Sequence, residues 1–268
     1  KATNDNFTVE YQTIGISATG GVDYTSKTDN VSFSGSAGET QTVTISLTDD
    51  AVVEDNETFR VVLNQVAGMS SSLMDISDNA TGQIDNDDGV ASVTIDNLTV
   101  TETDGDQSVT VTLTLDKETS DNFTVGVGTQ ADTAVAGSDY EVSLSPSSVS
   151  FAGTAGENQS VTLTIKGDSD PEIVEQFWLE MTSLSGMSSS LVDISDNASV
   201  TITDNDQAVV TIANEVVSEG NNATLTLNLD KAIGAGFSVD LSTVAGTARL
   251  SDSDYSNPAS PTVTFNAT

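Results

Sequence analysis

The stretch "DDAVVEDNETF" at positions 49–59 places five carboxylates, Asp49, Asp50, Asp55, Glu54 and Glu57, within eleven positions. Two like charges ~4 Å apart repel by roughly 4 kcal/mol at an effective dielectric near 20. Such a loop is either fully solvated or organised around a cation. Carboxylate oxygens are the ligands hard divalent ions take, and calcium accepts 6–8 of them at about 2.3–2.6 Å. Magnesium keeps more of its water and fits a carboxylate cage less well.

The rest of the composition narrows the chemistry. The chain has 268 residues with 7 Lys plus Arg, 41 Asp plus Glu and a net charge of −34. Nucleic acid and anionic membrane surfaces are excluded as expected partners, because both need a cationic face. There is no Cys and no His. That removes thiol nucleophiles, disulfides, the commonest general base and most zinc, copper and haem sites. No apolar run reaches the ~18–20 residues that would span a bilayer. The sequence begins at Lys1 without a signal-like segment and reads as an excerpt from a longer protein.

The chain repeats itself. "KATNDNFTVEYQT" from Lys1 returns as "KETSDNFTVGVGT" from Lys117 and, more loosely, as "KAIGAGFSVDLST" from Lys231. "GMSSSLMDISDNA" at 68–80 returns as "GMSSSLVDISDNA" at 186–198, and the period is about 114–118 residues. All eight Phe fall into three equivalent sets: Phe7, Phe123 and Phe237; Phe33, Phe151 and Phe265; Phe59 and Phe177. Three of the four Tyr (Tyr24, Tyr140 and Tyr255) follow an Asp. Recurrence at fixed positions marks these aromatics as core anchors. The period suits an array of domains that each carry their own core.

Each repeat reads as all-β. "SVTVTLTL" at 108–115 alternates strictly, and "QTVTISL", "SVTLTI" and "ATLTLNL" do the same. That is the signature of half-buried antiparallel strands. In the middle repeat the pattern predicts seven strands, near 91–100, 108–116, 122–130, 147–152, 159–166, 174–183 and 197–203. They imply a two-sheet sandwich of immunoglobulin-like outline. The expected organisation is a first domain over 1–88 lacking its first strand, a complete domain over 89–206, and the N-terminal half of a third over 207–268.

Strand parity then places the acids. The connections between strands one and two, three and four, and five and six lie at the same pole as the end of strand seven. These segments carry Glu102, Asp104 and Asp106; Asp139; Asp168, Asp170, Glu172 and Glu175; and Asp204 and Asp206. Acids distant in sequence are therefore expected to converge, which favours a bound cation over simple solubility.

The pattern "GSDYE…VSFAGTAGENQSVTLTIKGDSDPEIVEQFWLEM…ASVTITDND" resembles the Calx-β domain family, across the whole chain. The resemblance implies a seven-stranded sandwich and, in calcium-binding members, ions clustered at one end. Carried over residue by residue, the implied metal ligands are Glu102, Asp139, Asp168, Glu172, Glu175, Asp204 and Asp206 in the middle domain. In the first they are Asp23, Asp49, Asp50, Glu54, Glu57, Asp87 and Asp88, and in the third Glu219 and Asp254. Gly167 stands where the first domain has Asp49, with Asp170 a candidate to compensate, and Asn86 and Asn205 interrupt the terminal acids.

The expected function is a calcium-binding structural segment of an extracellular fibre, stalk or adhesin, at a bacterial surface, with Ca2+ stiffening a head-to-tail array. Its partners would be calcium, neighbouring repeats and other copies of itself in a filament, without membrane insertion. Alternatives are a calcium-sensing regulatory module, or a polymer assembled by inter-chain strand addition. No enzymatic activity is expected: paired carboxylates can cleave glycosides, but none stands outside the repeating pattern. Trp178, the only Trp, is expected to pack on strand six rather than to stack on a sugar.

Overall fold

A computed structural model describes residues 5–266. The first repeat holds four strands, β1 (Phe7–Gly15), β2 (Thr28–Phe33), β3 (Glu57–Ala67) and β4 (Asn79–Ile84). They form one antiparallel sheet in the order β2-β1-β3-β4. Alternation on β1 buries Phe7, Val9 and Tyr11 on one face.

The middle repeat is a complete sandwich. Its strands are β5 (Ala91–Ile95), β6 (Leu98–Thr101), β7 (Gln107–Leu115), β8 (Phe123–Ala131), β9 (Ser148–Phe151), β10 (Asn158–Ile165), β11 (Glu175–Ser185), β12 (Val192–Asp193) and β13 (Asn197–Thr203). One sheet runs β10-β7-β5-β12 and the other β6-β13-β11-β8-β9. Val111, Leu113 and Leu115 on β7 and Val161, Leu163 and Ile165 on β10 face Val125, Phe177, Leu179 and Val200 of the opposite sheet in one buried cluster. Each such side chain contributes roughly 1.5–3 kcal/mol of burial free energy. In the third repeat, β14 (Val210–Ile212) pairs with β15 (Leu227–Leu229), and β16 (Phe237–Asp240) with β17 (Thr262–Phe265).

Two features depart from the sequence expectation. The strand expected over 91–100 is divided between the sheets. β5 pairs antiparallel with β7, whereas β6 pairs parallel with β13. Side chains stabilise the switch: the Ile95 N–H donates to Asp196 Oδ2 at 2.9 Å, and the Ser199 N–H donates to Asn97 Oδ1 at 2.7 Å. The first repeat, expected to lack only its first strand, contains counterparts of β8, β9, β11 and β13 but of neither β5 nor β7 among the described residues. The physical consequence falls on residues 41–47. Their counterpart β10 is a strand because it pairs with β7 along its whole length. Without that partner, 41–47 make only an isolated bridge between Leu47 and Tyr24.

The recurrent Asp-Tyr pair is a positioning device. Tyr140 is buried and stacks on Phe177 with ring centroids 3.8 Å apart, and Tyr24 stacks on Phe59 at 4.7 Å. Stacking of this kind contributes about 0.5–1.5 kcal/mol beyond the buried area. With the ring fixed in the core, the preceding Asp139 or Asp23 is held at the end of the sandwich. The turns close through N–H groups of Gly137 and Gly21, donated to the carbonyls of Tyr140 and Tyr24 at 2.8 and 2.7 Å. Both glycines have positive φ, 89° and 92°, which L side chains rarely adopt.

Candidate metal centre

Three groups of carboxylates come together, each with ligand oxygens within 4.8 Å of one another: Asp23, Glu54 and Glu57; Glu102, Asp204 and Asp206; and Asp139, Glu172 and Glu175. Ligands on opposite sides of a calcium ion stand up to about 5 Å apart, so each group matches the span of one coordination shell. The two groups of the middle repeat adjoin. Glu172 is raised above its usual carboxylate range by burial and then by the charges of Asp139, Asp168, Asp204 and Asp170.

Glu102 sits in the turn after β6 and is only 5% exposed. Its Oε1, like Glu57 Oε2 and Asp206 Oδ2, is buried without a hydrogen-bond donor among the described residues. A buried carboxylate oxygen without a donor is unfavourable unless a cation or a proton meets it. Burial, followed by the neighbouring Asp204, Glu172 and Asp168, pushes Glu102 up to about 8. Burial and then Asp139 and Glu172 push Glu175 up to about 7; burial and then Asp23 and Glu54 do the same to Glu57. Asp204 behaves oppositely. Burial alone would raise it, but the N–H groups of Asp206 and Glu172, donated at 3.0 and 3.1 Å, hold it below its usual value. The donor set is all oxygen, with no sulfur or imidazole, which suits a hard cation.

In the first repeat one cleft is lined by Asp23, Asp49, Asp50, Glu54, Asp85, Asn86, Asp87 and Asp88. Asp55 is exposed, as expected of a solvated acid. Strand register corrects the alignment of the terminal acids. Glu57 pairs with Ile84, and Glu175 pairs with Ile202. Asp88 therefore corresponds to Asp206, and Asn86, rather than Asp87, corresponds to Asp204. The local hydrogen bond agrees: the Asp88 N–H donates to Asn86 Oδ1 as the Asp206 N–H does to Asp204 Oδ1. Asn86 and Asp85 are thus cleft residues absent from the expected ligand set; counting two residues forward from Ile84 and Ile202 pairs Asn86 with Asp204.

Gly167 is glycine because the chain passes too close for anything else. A Cβ there would lie 1.7 Å from the Thr103 carbonyl oxygen and 2.7 Å from that of Gly105. Asp49 can occupy the equivalent position because no counterpart of the 102–106 turn covers it. Asp168 and Asp170 are exposed, and the Asp170 N–H donates to Asp168 Oδ1. Asp106 does not join the cluster: it is paired with Lys166, Nζ to Oδ2 at 2.9 Å, as is Glu141 at 2.8 Å. Asp104 accepts from Asn205 Nδ2 at 3.4 Å. Glu219 and Asp254 are exposed and belong to none of the three groups; Asp254 Oδ2 accepts the Arg249 N–H. Trp178 stands half-buried on the face of β11 opposite Phe177.

The geometry defines a class: tandem β-repeats, the middle one a complete sandwich whose all-oxygen acidic pole is built from four separate segments. The family follows directly. The Calx-beta domain matches three times, over residues 1–88, 84–206 and 204–268, and the chain belongs to that family. Among solved structures, the apo-form Calx CBD1 domain is 21% identical, with the match covering 44% of this chain and 99% of that one at a TM-score of 0.35. CBD12 from CALX1.2 is 19% identical over 75% of this chain and 89% of that one, TM-score 0.31. The calcium binding domain CBD12 of CALX1.1 is 18% identical over the same shares, TM-score 0.30. No curated protein matches the chain. Among the described residues no helix is long and apolar enough to cross a membrane.

Proposed function

We propose that this chain is a calcium-binding structural segment of an extracellular or cell-surface array, bacterial in origin, in which Ca2+ at the domain junctions stiffens a head-to-tail rod. The observation that carries the reading is the trio of buried carboxylate oxygens without donors, Glu57 Oε2, Glu102 Oε1 and Asp206 Oδ2, each within a carboxylate group of coordination-shell size. Glu102, Asp204 and Asp206 would hold one ion, and Asp139, Glu172 and Glu175 a second, with Asp168 and Asp170 at its edge. In the first repeat Asp23, Glu54 and Glu57 would hold the ion, with Asp49, Asp50, Asp87 and Asp88 lining the same cleft. Bound calcium would supply positive charge that offsets the repulsion and ties the loops together.

The sites lie at the junctions. Lys117 Nζ, from the second repeat, donates to the Asp88 carbonyl at 2.7 Å, and Lys231 Nζ, from the third, pairs with Asp206 Oδ1 at 2.7 Å. Asp206 therefore offers one oxygen to the next repeat and the other to the pole. Affinities of extracellular calcium modules fall at about 10⁻⁴–10⁻³ M, a range matched to a surface protein. Thermal unfolding and small-angle scattering of the full chain, with calcium and then with excess EDTA, test the proposal. Calcium at one hundred times Kd is expected to stabilise by about 2.7 kcal/mol per site, and EDTA to shorten the maximum dimension. Unchanged unfolding temperature and unchanged dimensions would refute it.

A further inference from the structure

Val53 lies in the most acidic loop of the first repeat, yet it is 0% exposed and belongs to the core cluster of the second. Its N–H donates to the Glu118 carbonyl at 2.9 Å, and its carbonyl accepts the Ser120 N–H at 3.1 Å. The pair makes a parallel bridge between Val53 and Thr119. Thr119 is itself buried, and its N–H donates to the Gly153 carbonyl at 2.8 Å. A single residue of one repeat is thus inserted into the end of the next, with both backbone groups and the side chain engaged. None of these contacts involves a carboxylate.

The second junction is built differently. Counting from Phe59 and Phe177, the residue equivalent to Val53 is Pro171. Proline has no N–H to donate, so one of the two backbone bonds cannot form there. The neighbouring Ile173 and Val174 are 70% and 60% exposed. Asp170, Pro171 and Ile173 face Ala232, Ile233 and Phe237 across an open groove. What links the two repeats is charged: Lys231 Nζ donates to the Ser169 carbonyl and pairs with Asp206. The Lys231–Asp206 pair is part-buried, yet no side chain of the second repeat enters the third as Val53 enters the second, among the described residues.

We propose that Val53 is a metal-independent latch, so that the first and second repeats stay docked without any divalent cation. The second junction, with Pro171 in the latch position, is held by charge and is the flexible joint of the chain. The two junctions of one array therefore differ in kind; on the calcium reading proposed above, the second is the one left for the ion to stiffen. The acidic loop that carries Asp49, Asp50 and Glu54 is pinned by Val53 before any ion arrives.

Amide hydrogen exchange of the full chain in EDTA and 150 mM salt (a condition of about 8 Å Debye length) tests this. The Val53 and Ser120 amides are expected to exchange about tenfold or more slowly than exposed loop amides, as backbone bonds in a docked unit do. The Gly234 amide, equivalent to Ser120, should exchange at the loop rate. Val53→Asp should bring Ser120 to the loop rate while the Leu113 and Leu163 amides stay protected, and Pro171→Val should slow Gly234. If Val53→Asp unfolds the second repeat, Val53→Ala is read instead, with the same acceleration expected at Ser120. Loop-rate exchange of Val53 and Ser120 in the unsubstituted chain, or an unchanged Ser120 in the Val53 variants, would overturn the proposal. Every measurement is made in EDTA, so its outcome is independent of whether calcium binds.

Discussion

Glu102→Gln is expected to weaken calcium binding at the middle repeat by about tenfold or more, the scale seen when a tuned metal ligand environment loses one contributor. The same substitution should stabilise the metal-free protein at neutral and alkaline pH. Both effects have one cause. Glu102 is buried, has an oxygen without a donor and stands among the carboxylates of Asp204, Glu172 and Asp168. Glutamine keeps the shape and one carbonyl oxygen but removes the charge, so it mimics the protonated acid. The repulsion disappears together with the strongest reason for a cation to bind. A substitution that loses affinity and gains apo stability is hard to explain by damage to the fold. Calcium titration and denaturant unfolding in EDTA of the same variant read the two effects separately. Loss of both affinity and apo stability would mean that Glu102 is structural rather than a ligand.

Without calcium, stability should fall as pH rises from about 4.5 to about 8. Glu57 and Glu175 are pushed up to about 7, and Glu102 to about 8, from an ordinary 4.5. Between those values the folded chain holds protons that the unfolded chain has released. Stability then decreases with pH, by linkage, and the contribution present below 4.5 is gone above 8. Bound calcium would reverse the requirement, because a metal ion takes the ionised carboxylates and displaces their protons. The slope should therefore flatten or invert in saturating calcium. Unfolding curves from pH 5 to 8.5, with and without the ion, check this. A metal-free protein that grows more stable over that range would contradict the assigned electrostatics.

Much of this was legible in the sequence, for identifiable reasons. Alternation in "SVTVTLTL" and "SVTLTI" reports which face is buried, and β7 and β10 bury those faces. Recurrent Phe and Asp-Tyr pairs report core anchors, and Tyr140 on Phe177 is one. Strand parity sufficed to bring Glu102, Asp139, Glu172, Glu175 and Asp204 to one end. What local pattern could not report depends on partners elsewhere. The switch between β5 and β6 leaves the alternation of residues intact, and what sets it is Asp196, about a hundred residues away. Residues 41–47 alternate like any strand, yet pairing needs the neighbour that β7 supplies to β10. The Gly167 substitution reflects a close pass of the 102–106 turn, not relaxed need for an acid. Val53 reads as loop filler among carboxylates because the core that buries it belongs to the following repeat.

If the acidic pole is a calcium cage assembled at the repeat junctions, it must take up the ion saturably and give up protons as it does so. Calorimetric titration of calcium chloride into the full chain at pH 7.5, in two buffers of different ionisation enthalpy, tests it most directly. Saturable heat is expected for one ion per carboxylate group, three among the described residues, with net proton release visible as a buffer-dependent enthalpy. Absence of saturable heat up to ~10 mM calcium, beyond the range of extracellular modules, would contradict it.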